Sequence, residues 1–440
     1  MIRKIVIASL WMISLTAMAQ VSLDDCQKWA RENYPEVKRF GIIDATQACN
    51  LSNASKNWLP MVSLNIQGGW VNNTINAEDV LSNANMDDGY SEMVTSMLDA
   101  LKVKPLPHWQ YRGGVEVVQP IYDGGATALQ KEVAIRQAEA DRAKIEVSLH
   151  TLEDKVLDVY FAILLLEDRK EQVALRNELL DKNLQKLRNL EKEGLVKLND
   201  VEAVEVEQLK LKQASDMVDE NINIYRTTLS LLTGHNMIDQ TLERPAMPTA
   251  DRPAFSNKAE MQLLDKESEL LSLKERYEHV KIMPKLGFMG QVYYGYPGQN
   301  IFRDLVKHTP QVNIGLGLKL SWDISSLYKR KNNLAILRQE QETIENHRQL
   351  LLFRQRVSNT SLETRIKRME SIRQQDDRIV ELRQKLRIAE EAKVDNDMVD
   401  ATELLAKIDD EAEAKLQRSI HETEIMRDVY KLMLYGDTEK

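Results

Sequence analysis

The sequence predicts a mixed α and β membrane protein, with four transmembrane β-strands per protomer and long antiparallel α-helical hairpins arranged as an internal duplication. Three observations carry that prediction. Four segments alternate apolar and polar residues with period two. Very long stretches keep apolar residues at steps of three and four. Matched landmarks recur in the same order at an offset of roughly 200 residues, the self-similarity that marks a repeated structural unit.

The chain opens with Arg3 and Lys4, an apolar run from Ile5 to Ala17, and Ala17-Met18-Ala19 before Gln20, the layout of a cleavable secretory signal. Residues 1–19 are therefore expected to be removed near Ala19, an uncleaved anchor being the alternative. After Gln20 there is no uncharged apolar stretch of the ~18–20 residues that a spanning helix requires, so a membrane crossing would have to use strands. The formal net charge of −9 offers no broad basic face and speaks against a nucleic-acid partner. Charged residues make up 29% of the chain and aromatics 6%, a balance that points to long helices. On one straight helix Cys26 and Cys49 would stand about 35 Å apart, too far to bond. A break at Pro35 could fold the first segment back, so the bridge stays open, with two buried thiols as the favoured state.

The first repeat is expected over 20–234, with strands at about 60–72 and 109–122, a loop over 73–108 and a helical hairpin over 126–234. A linker or equatorial region follows over 235–256, where Pro245, Pro248 and Pro253 fall. The second repeat covers 257–436, with strands at about 284–296 and 310–323, a hairpin over 325–434 and a tail over 437–440. The clearest strand sets Val312, Ile314, Leu316, Leu318, Leu320 and Trp322 against Asn313, Gly315, Gly317, Lys319 and Ser321. Tyr111, Gly113, Val115 and Val117 alternate in the same way with Arg112, Gly114 and Glu116, and Val62, Leu64, Ile66, Trp70 and Leu286, Phe288, Val292, Tyr294 complete the set. Such lengths and two-faced patterns fit barrel strands in a membrane, and equally a soluble sandwich. Trp70, Trp109, Tyr111, Tyr293, Tyr296 and Trp322 near strand ends are candidates for interfacial aromatic girdles.

From Ala126 to Glu193 neither Pro nor Gly occurs, and Ile145, Leu149, Leu152, Val156, Val159, Ile163 and Leu166 form a coiled-coil seam. A second seam runs back through Leu211, Ala214, Val218, Tyr225, Leu229 and Leu232. The pattern returns over Ser325 to Glu391 and Met398 to Leu434, and a helix-like segment from Asn257 to Lys281 leads into the third strand. The matched landmarks include Gln119-Pro120-Ile121-Tyr122-Asp123-Gly124-Gly125 against Leu320-Ser321-Trp322-Asp323-Ile324-Ser325-Ser326, and Leu231-Leu232-Thr233-Gly234 against Leu432-Met433-Leu434-Tyr435-Gly436. Four strands cannot close a barrel in lipid, where an open sheet edge leaves backbone groups unsatisfied, so the copies must assemble.

Those landmarks, the signal segment and the tip Glu193-Gly194-Leu195-Val196-Lys197-Leu198-Asn199-Asp200-Val201 resemble TolC-type outer-membrane efflux proteins over essentially the whole mature chain. The resemblance implies a homotrimer with a shared twelve-stranded β-barrel in outer-membrane lipid and an α-helical barrel through the periplasm. It implies partners as well: a periplasmic adaptor (membrane fusion) protein and an inner-membrane pump of the RND or ABC type. Asp397 and Asp400 match the family's selectivity ring at the periplasmic constriction. From physics alone they share a face near a helix start, where ordinary capping is the competing role. Asp200 and Lys393 match a gate latch, an exposed pair worth only about 0–1 kcal/mol, or else two unrelated surface charges. Gly194, Leu195 and Val196 match the adaptor-binding tip. Glu391-Ala392-Lys393-Val394 departs from the pattern by lacking a glycine, and Ile388 stands where a latch hydroxyl can occur.

No metal-binding His spacing and no Gly-x-Ser-x-Gly elbow is present, and Gly315-Leu316-Gly317 lies inside a strand pattern, so neither an enzyme nor a cofactor is expected. The rival is a periplasmic coiled-coil adaptor, which shares the long hairpins but would lack the strands. Drug efflux and protein secretion share the same outer-membrane part and are not separated by the sequence.

Overall fold

The computed structural model describes residues 20–76, 88–194, 197–247, 258–394 and 401–435; the expected signal segment lies outside them. The chain divides into two compact units, one of Met1–Ile43, Glu139–Glu267 and Thr343–Lys440, the other of Asp44–Ala138 and Ser268–Glu342. It is mostly helical, with one small antiparallel sheet.

In the first unit Ser22 opens α1 (Leu23–Asn33) with a capping box, its Oγ accepting from the Asp25 amide at 3.2 Å. Tyr34 is extended before Pro35, as the proline ring demands, and a single 3-10 turn at Pro35–Val37 leads into α2 (Lys38–Lys56). Both cysteines are free. Cys26 is buried, and desolvation raises its thiol pKa to about 12, but Cys49 is exposed, which corrects the expectation of two buried thiols.

Most of four long helices falls in this unit: α4 (Ala126–Lys192), α5 (Leu198–Thr233), α8 (Ser325–Val394) and α9 (Ala401–Tyr435), of which residues 126–138 and 325–342 belong to the second unit. At 1.5 Å per residue the 67 residues of α4 extend about 100 Å. Ion pairs set their neighbours. Lys170–Asp219 and Arg188–Glu205, both at 2.7 Å, join α4 to α5, while Arg418–Asp377 at 2.5 Å and Arg387–Glu411 at 2.7 Å join α9 to α8. Lys431–Asp158 at 2.6 Å and Arg176–Glu413 at 3.3 Å join α4 to α9. Numbering rises along one helix of each pair as it falls along the other, so all three contacts are antiparallel and the order is α5–α4–α9–α8. The two inner helices hold the core. Val156, Leu157, Tyr160, Phe161, Ile163 and Leu164 of α4 are buried with Ile425 and Met426 of α9, and Phe161 meets Tyr430 with ring centroids 5.7 Å apart. Each such side chain contributes about 1.5–3 kcal/mol by leaving water, far more than any one of the exposed ion pairs.

In the second unit the sheet order is β1 (Met61–Trp70), β2 (Trp109–Tyr122), β3 (Lys285–Tyr296) and β4 (Gln311–Ser321), every neighbour antiparallel. At one end of the sheet, Trp70 opposes Trp109 and Gly295 opposes Gln311, and the connections there carry α3 (Asp88–Ala100) and α7 (Ile301–Lys307). The opposite end leads to α2, α4, α6 (Lys258–Val280) and α8. The helix α3 lies inside the span expected as a loop over 73–108.

One device opens both of the longest helices. Asp123 Oδ1 accepts from the Gly125 amide at 2.9 Å and its Oδ2 from the Thr127 amide at 2.7 Å; Asp323 Oδ1 accepts from the Ser325 amide at 3.1 Å. Gly124 makes the first of these turns possible, because it takes a φ of 72° and a side chain there would meet Met283 Cβ at 2.7 Å.

Candidate functional site

Strand register converts the period-two pattern into two chemically opposite faces. Opposed pairs Val62–Val117, Leu64–Val115, Val115–Val292, Val292–Ile314, Gly290–Leu316 and Phe288–Leu318 all fall on one face, which is apolar across the whole sheet. Among the described residues nothing covers it: Ile66 is 77% exposed and Leu316 73%. A contiguous apolar surface of that extent on a four-stranded sheet needs a non-aqueous neighbour. Among the described residues no helix is long and apolar enough to cross a membrane.

The reverse face is polar. Arg112 Nε donates to Gln67 Oε1 at 2.9 Å, and Glu116 lies 3.7 Å from Lys319 Nζ and within 3.5 Å of Asn65 Nδ2. Tyr293 joins this face, opposite Gly114 and Asn313, and a side chain at Gly114 would collide with its Cβ. Tyr293 is thus no girdle residue. Nor is Tyr296, which is buried with Leu106 and Leu305 and donates its hydroxyl to the Asp304 carbonyl at 2.9 Å. Both were expected on the girdle, and the correction has two causes, strand phase for Tyr293 and a folded-back loop for Tyr296. Trp70, Trp109, Tyr111 and Trp322 remain exposed near strand ends.

The outer helices of the long set show the same lack of cover. Leu209, Met217 and Ile224 on α5, and Phe353, Val357, Ile379 and Leu386 on α8, are exposed, whereas the seam of α4 is buried from Ile145 through Ile163. Tyr225 of the second expected seam is exposed while Leu229 is buried. The apolar surplus therefore sits on the two flanks of the helical layer, as it does on the apolar face of the sheet.

At the tips, Gly194 follows α4 with φ 73°, and its amide donates to the Glu191 carbonyl at 2.9 Å. Leu195 and Val196 lie outside the described residues, as do Asp397 and Asp400. Asp200 falls in the first turn of α5 and Lys393 in the last turn of α8; the clasp between their side chains lies outside the described residues too.

Sequence reading missed a buried polar cluster. Asp168, fully buried on α4, is paired with Arg244 and accepts from Thr423 Oγ1 of α9 at 3.0 Å, while Arg244 also donates to Ser419 Oγ at 2.9 Å. Nearby, Arg226 gathers the carbonyls of Met237, Ile238 and Gln240 at 2.7–2.9 Å and pairs with Glu167 at 2.6 Å. The Tyr160 hydroxyl sits 2.9 Å from the Val21 carbonyl and 2.5 Å from that of Glu243, where Val21 bridges Leu242. Together these contacts pin the start of the described chain and the segment after Gly234 onto α4.

A sheet with one uncovered apolar face and two open edges, continued by paired long antiparallel helices, is the TolC-type outer-membrane channel fold, and the chain has that fold. It is similar to the CmeC outer membrane channel of Campylobacter jejuni, at 12% identity and TM-score 0.62, over 94% of this chain and 85% of that one. It is similar too to the outer-membrane channel OprN, at 13% identity and TM-score 0.62 over 94% and 90% of the two chains. The open-state MtrE outer membrane channel of Neisseria gonorrhoeae follows at 12% identity and TM-score 0.57, over 95% and 91%. No protein-family model and no curated protein matches the sequence.

Proposed function

We propose that the chain is one protomer of an outer-membrane channel, the passive exit duct of a tripartite efflux or type I secretion system. The observation that carries this is the sheet: four strands with a continuous uncovered apolar face and only one neighbour each for β1 and β4. In lipid such edges would leave backbone donors and acceptors unpaired, each costing several kcal/mol. Three copies joined edge to edge give a closed twelve-stranded barrel with the Arg112, Glu116 and Lys319 face turned to water. The exposed apolar flanks on α5 and α8 then close the helical barrel against neighbouring copies.

The two repeats, 20–234 and 257–436, supply matching staves on either side of the 235–256 linker, and the homotrimer uses both. At the periplasmic end, Asp397 and Asp400 form two tiers of carboxylates that admit cations, Asp200 and Lys393 clasp the closed tip, and Gly194, Leu195 and Val196 meet the adaptor. An inner-membrane pump of the RND or ABC type works through that adaptor. An adaptor role for the chain itself leaves the sheet without a purpose. Replacing both Asp397 and Asp400 with Ala should reduce the cation preference of single-channel conductance in planar bilayers; unchanged selectivity removes the ring.

A further inference from the structure

The polar face of the sheet holds an arginine whose charge has no counterpart among the described residues. Near the end that carries α3 and α7, this face is made by Gln67 and Gly69 of β1, Gln110, Arg112 and Gly114 of β2, and Tyr293 and Gly295 of β3. Arg112 stands opposite Gln67 on one side and Gly295 on the other. Gln67 Oε1 accepts from Arg112 Nε at 2.9 Å, which fixes the guanidinium and leaves the Gln67 amide nitrogen to donate elsewhere. Gly295 offers no side chain, so the other flank of Arg112 stays open. Among the described residues the Arg112 Nη nitrogens have no hydrogen-bond partner and no carboxylate pairs with them. Glu116 is the one acidic residue of β2, and four residues at ~3.3 Å each put it roughly 13 Å along the strand. It is engaged there with Lys319 at 3.7 Å. The turn after β3 closes the open flank into a cavity. The Gln299 amide donates to Asn313 Oδ1 at 3.0 Å and the Gly298 amide to Asp304 Oδ2 at 2.5 Å, so Pro297 and Gly298 fold back over the polar face. A space of about 480 Å³ remains between that turn and Gln67, Gln110, Arg112 and Tyr293, and no acidic residue lines it. That is room for a small organic molecule.

We infer that this cavity binds an oxyanion, the carboxylate or phosphate group of a small solute, with Arg112 as the anchoring charge. That solutes reach it along a water-filled bore rests on the channel reading above; the cavity itself lies within one chain. A guanidinium held at Nε keeps its two Nη groups in a planar fork, the geometry that meets two oxygens of a carboxylate or phosphate. Around it the Gln67 amide nitrogen, the Gln110 amide and the Tyr293 hydroxyl supply neutral donors without adding negative charge. A cation would meet only the like charge of Arg112. An apolar ligand would strip water from these groups without replacing the hydrogen bonds. In a closed barrel three such sites face one bore, and rings of arginine are what anion-passing pores use.

The test titrates the purified full chain in detergent with citrate and, separately, with inorganic pyrophosphate, by calorimetry at constant ionic strength. Saturable binding of one anion per chain is expected for at least one of the two, and Arg112→Gln should weaken it about tenfold or more. Lys285→Gln makes the same change of charge at the other end of the polar face and should leave the affinity unchanged; an equal loss in both variants overturns the site in favour of diffuse charge. Gly69 lines the cavity, and a side chain added there meets open space, so Gly69→Leu should fill the cavity and weaken binding with Arg112 intact. Full affinity in Gly69→Leu overturns the assignment to this cavity. In planar bilayers a saturating concentration of the bound anion should lower the conductance of the native protein and not that of Arg112→Gln. A conducting oligomer that binds neither anion overturns the site and leaves the channel reading intact. Binding by a protein that stays single-copy and does not conduct overturns the channel reading and leaves the site.

Discussion

Asp168 has no exposed surface, and its carboxylate is held by Arg244 from one side and by Thr423 from the other. Removing one partner of such a pair leaves a buried charge or hydroxyl without its counterpart, which costs more than the pair itself contributes. Arg244 is partly exposed, so the loss is moderated by water. Asp168→Ala should destabilise the protein by about 2 kcal/mol, read as a lower melting temperature in detergent, and Asp168→Asn should cost less by keeping the Thr423 bond.

His150 and Glu260 add a pH dependence. The Glu260 hydrogen bond, at 3.4 Å, raises the His150 pKa above 6.5 against the opposing effect of burial. Burial is the largest effect on Glu260 and works to raise its pKa, but the His150 hydrogen bond, a backbone hydrogen bond and the His150 charge together outweigh it and hold the carboxyl below 4.5. The raised imidazolium stabilises the fold below its unfolded pKa and loses that contribution as pH rises through the folded value. The depressed carboxylate acts above its own unfolded pKa and is lost as pH falls through its folded value. The gap in melting temperature between the native protein and His150→Gln should therefore be widest between the unfolded carboxylate and imidazole values of 4.5 and 6.5, and narrow as pH rises through the raised folded value of His150. A gap that is flat with pH would remove the pair from the account.

At the scale of elements, the sheet face decides between lipid and water. Leu316 lies on the apolar face and Gln291 on the polar one, two strands that are direct neighbours. An Arg at the bilayer midplane costs about 2–4 kcal/mol on a lipid-facing position and little on a lumen-facing one. Leu316→Arg should sharply reduce folded protein recovered from outer membranes, whereas Gln291→Arg should be tolerated. Equal recovery of the two variants would mean that the apolar face does not meet lipid.

The strands were readable because a period of two dominates each of them, despite the apolar pairs Val117-Val118 and Phe288-Met289, so phase assigns Leu316 and Asn313 to opposite faces. That phase was enough to exclude Tyr293 from the girdle, since Val292 and Tyr294 flank it. The long helices were readable from an unbroken seam such as Ile145 to Ile163. By contrast α7 has seven residues, too few for a period to show, and α3 sits in an Asn- and Asp-rich stretch where its stripe from Tyr90 to Leu101 was the one signal. Burial of Tyr296 depends on Leu106 and Leu305, and the Asp168 cluster joins residues 76 and 255 positions apart. Contacts of that range leave no periodic trace.

At the scale of the whole molecule, both units leave apolar surface uncovered where a neighbouring copy or lipid would lie: the sheet face, and the α5 and α8 flanks. The most direct measurement is the oligomeric mass of the purified mature protein in detergent together with its conductance in a planar bilayer. Three copies and a stable, cation-preferring conductance are the predicted result. A folded single copy in aqueous buffer, silent on reconstitution, would contradict the account.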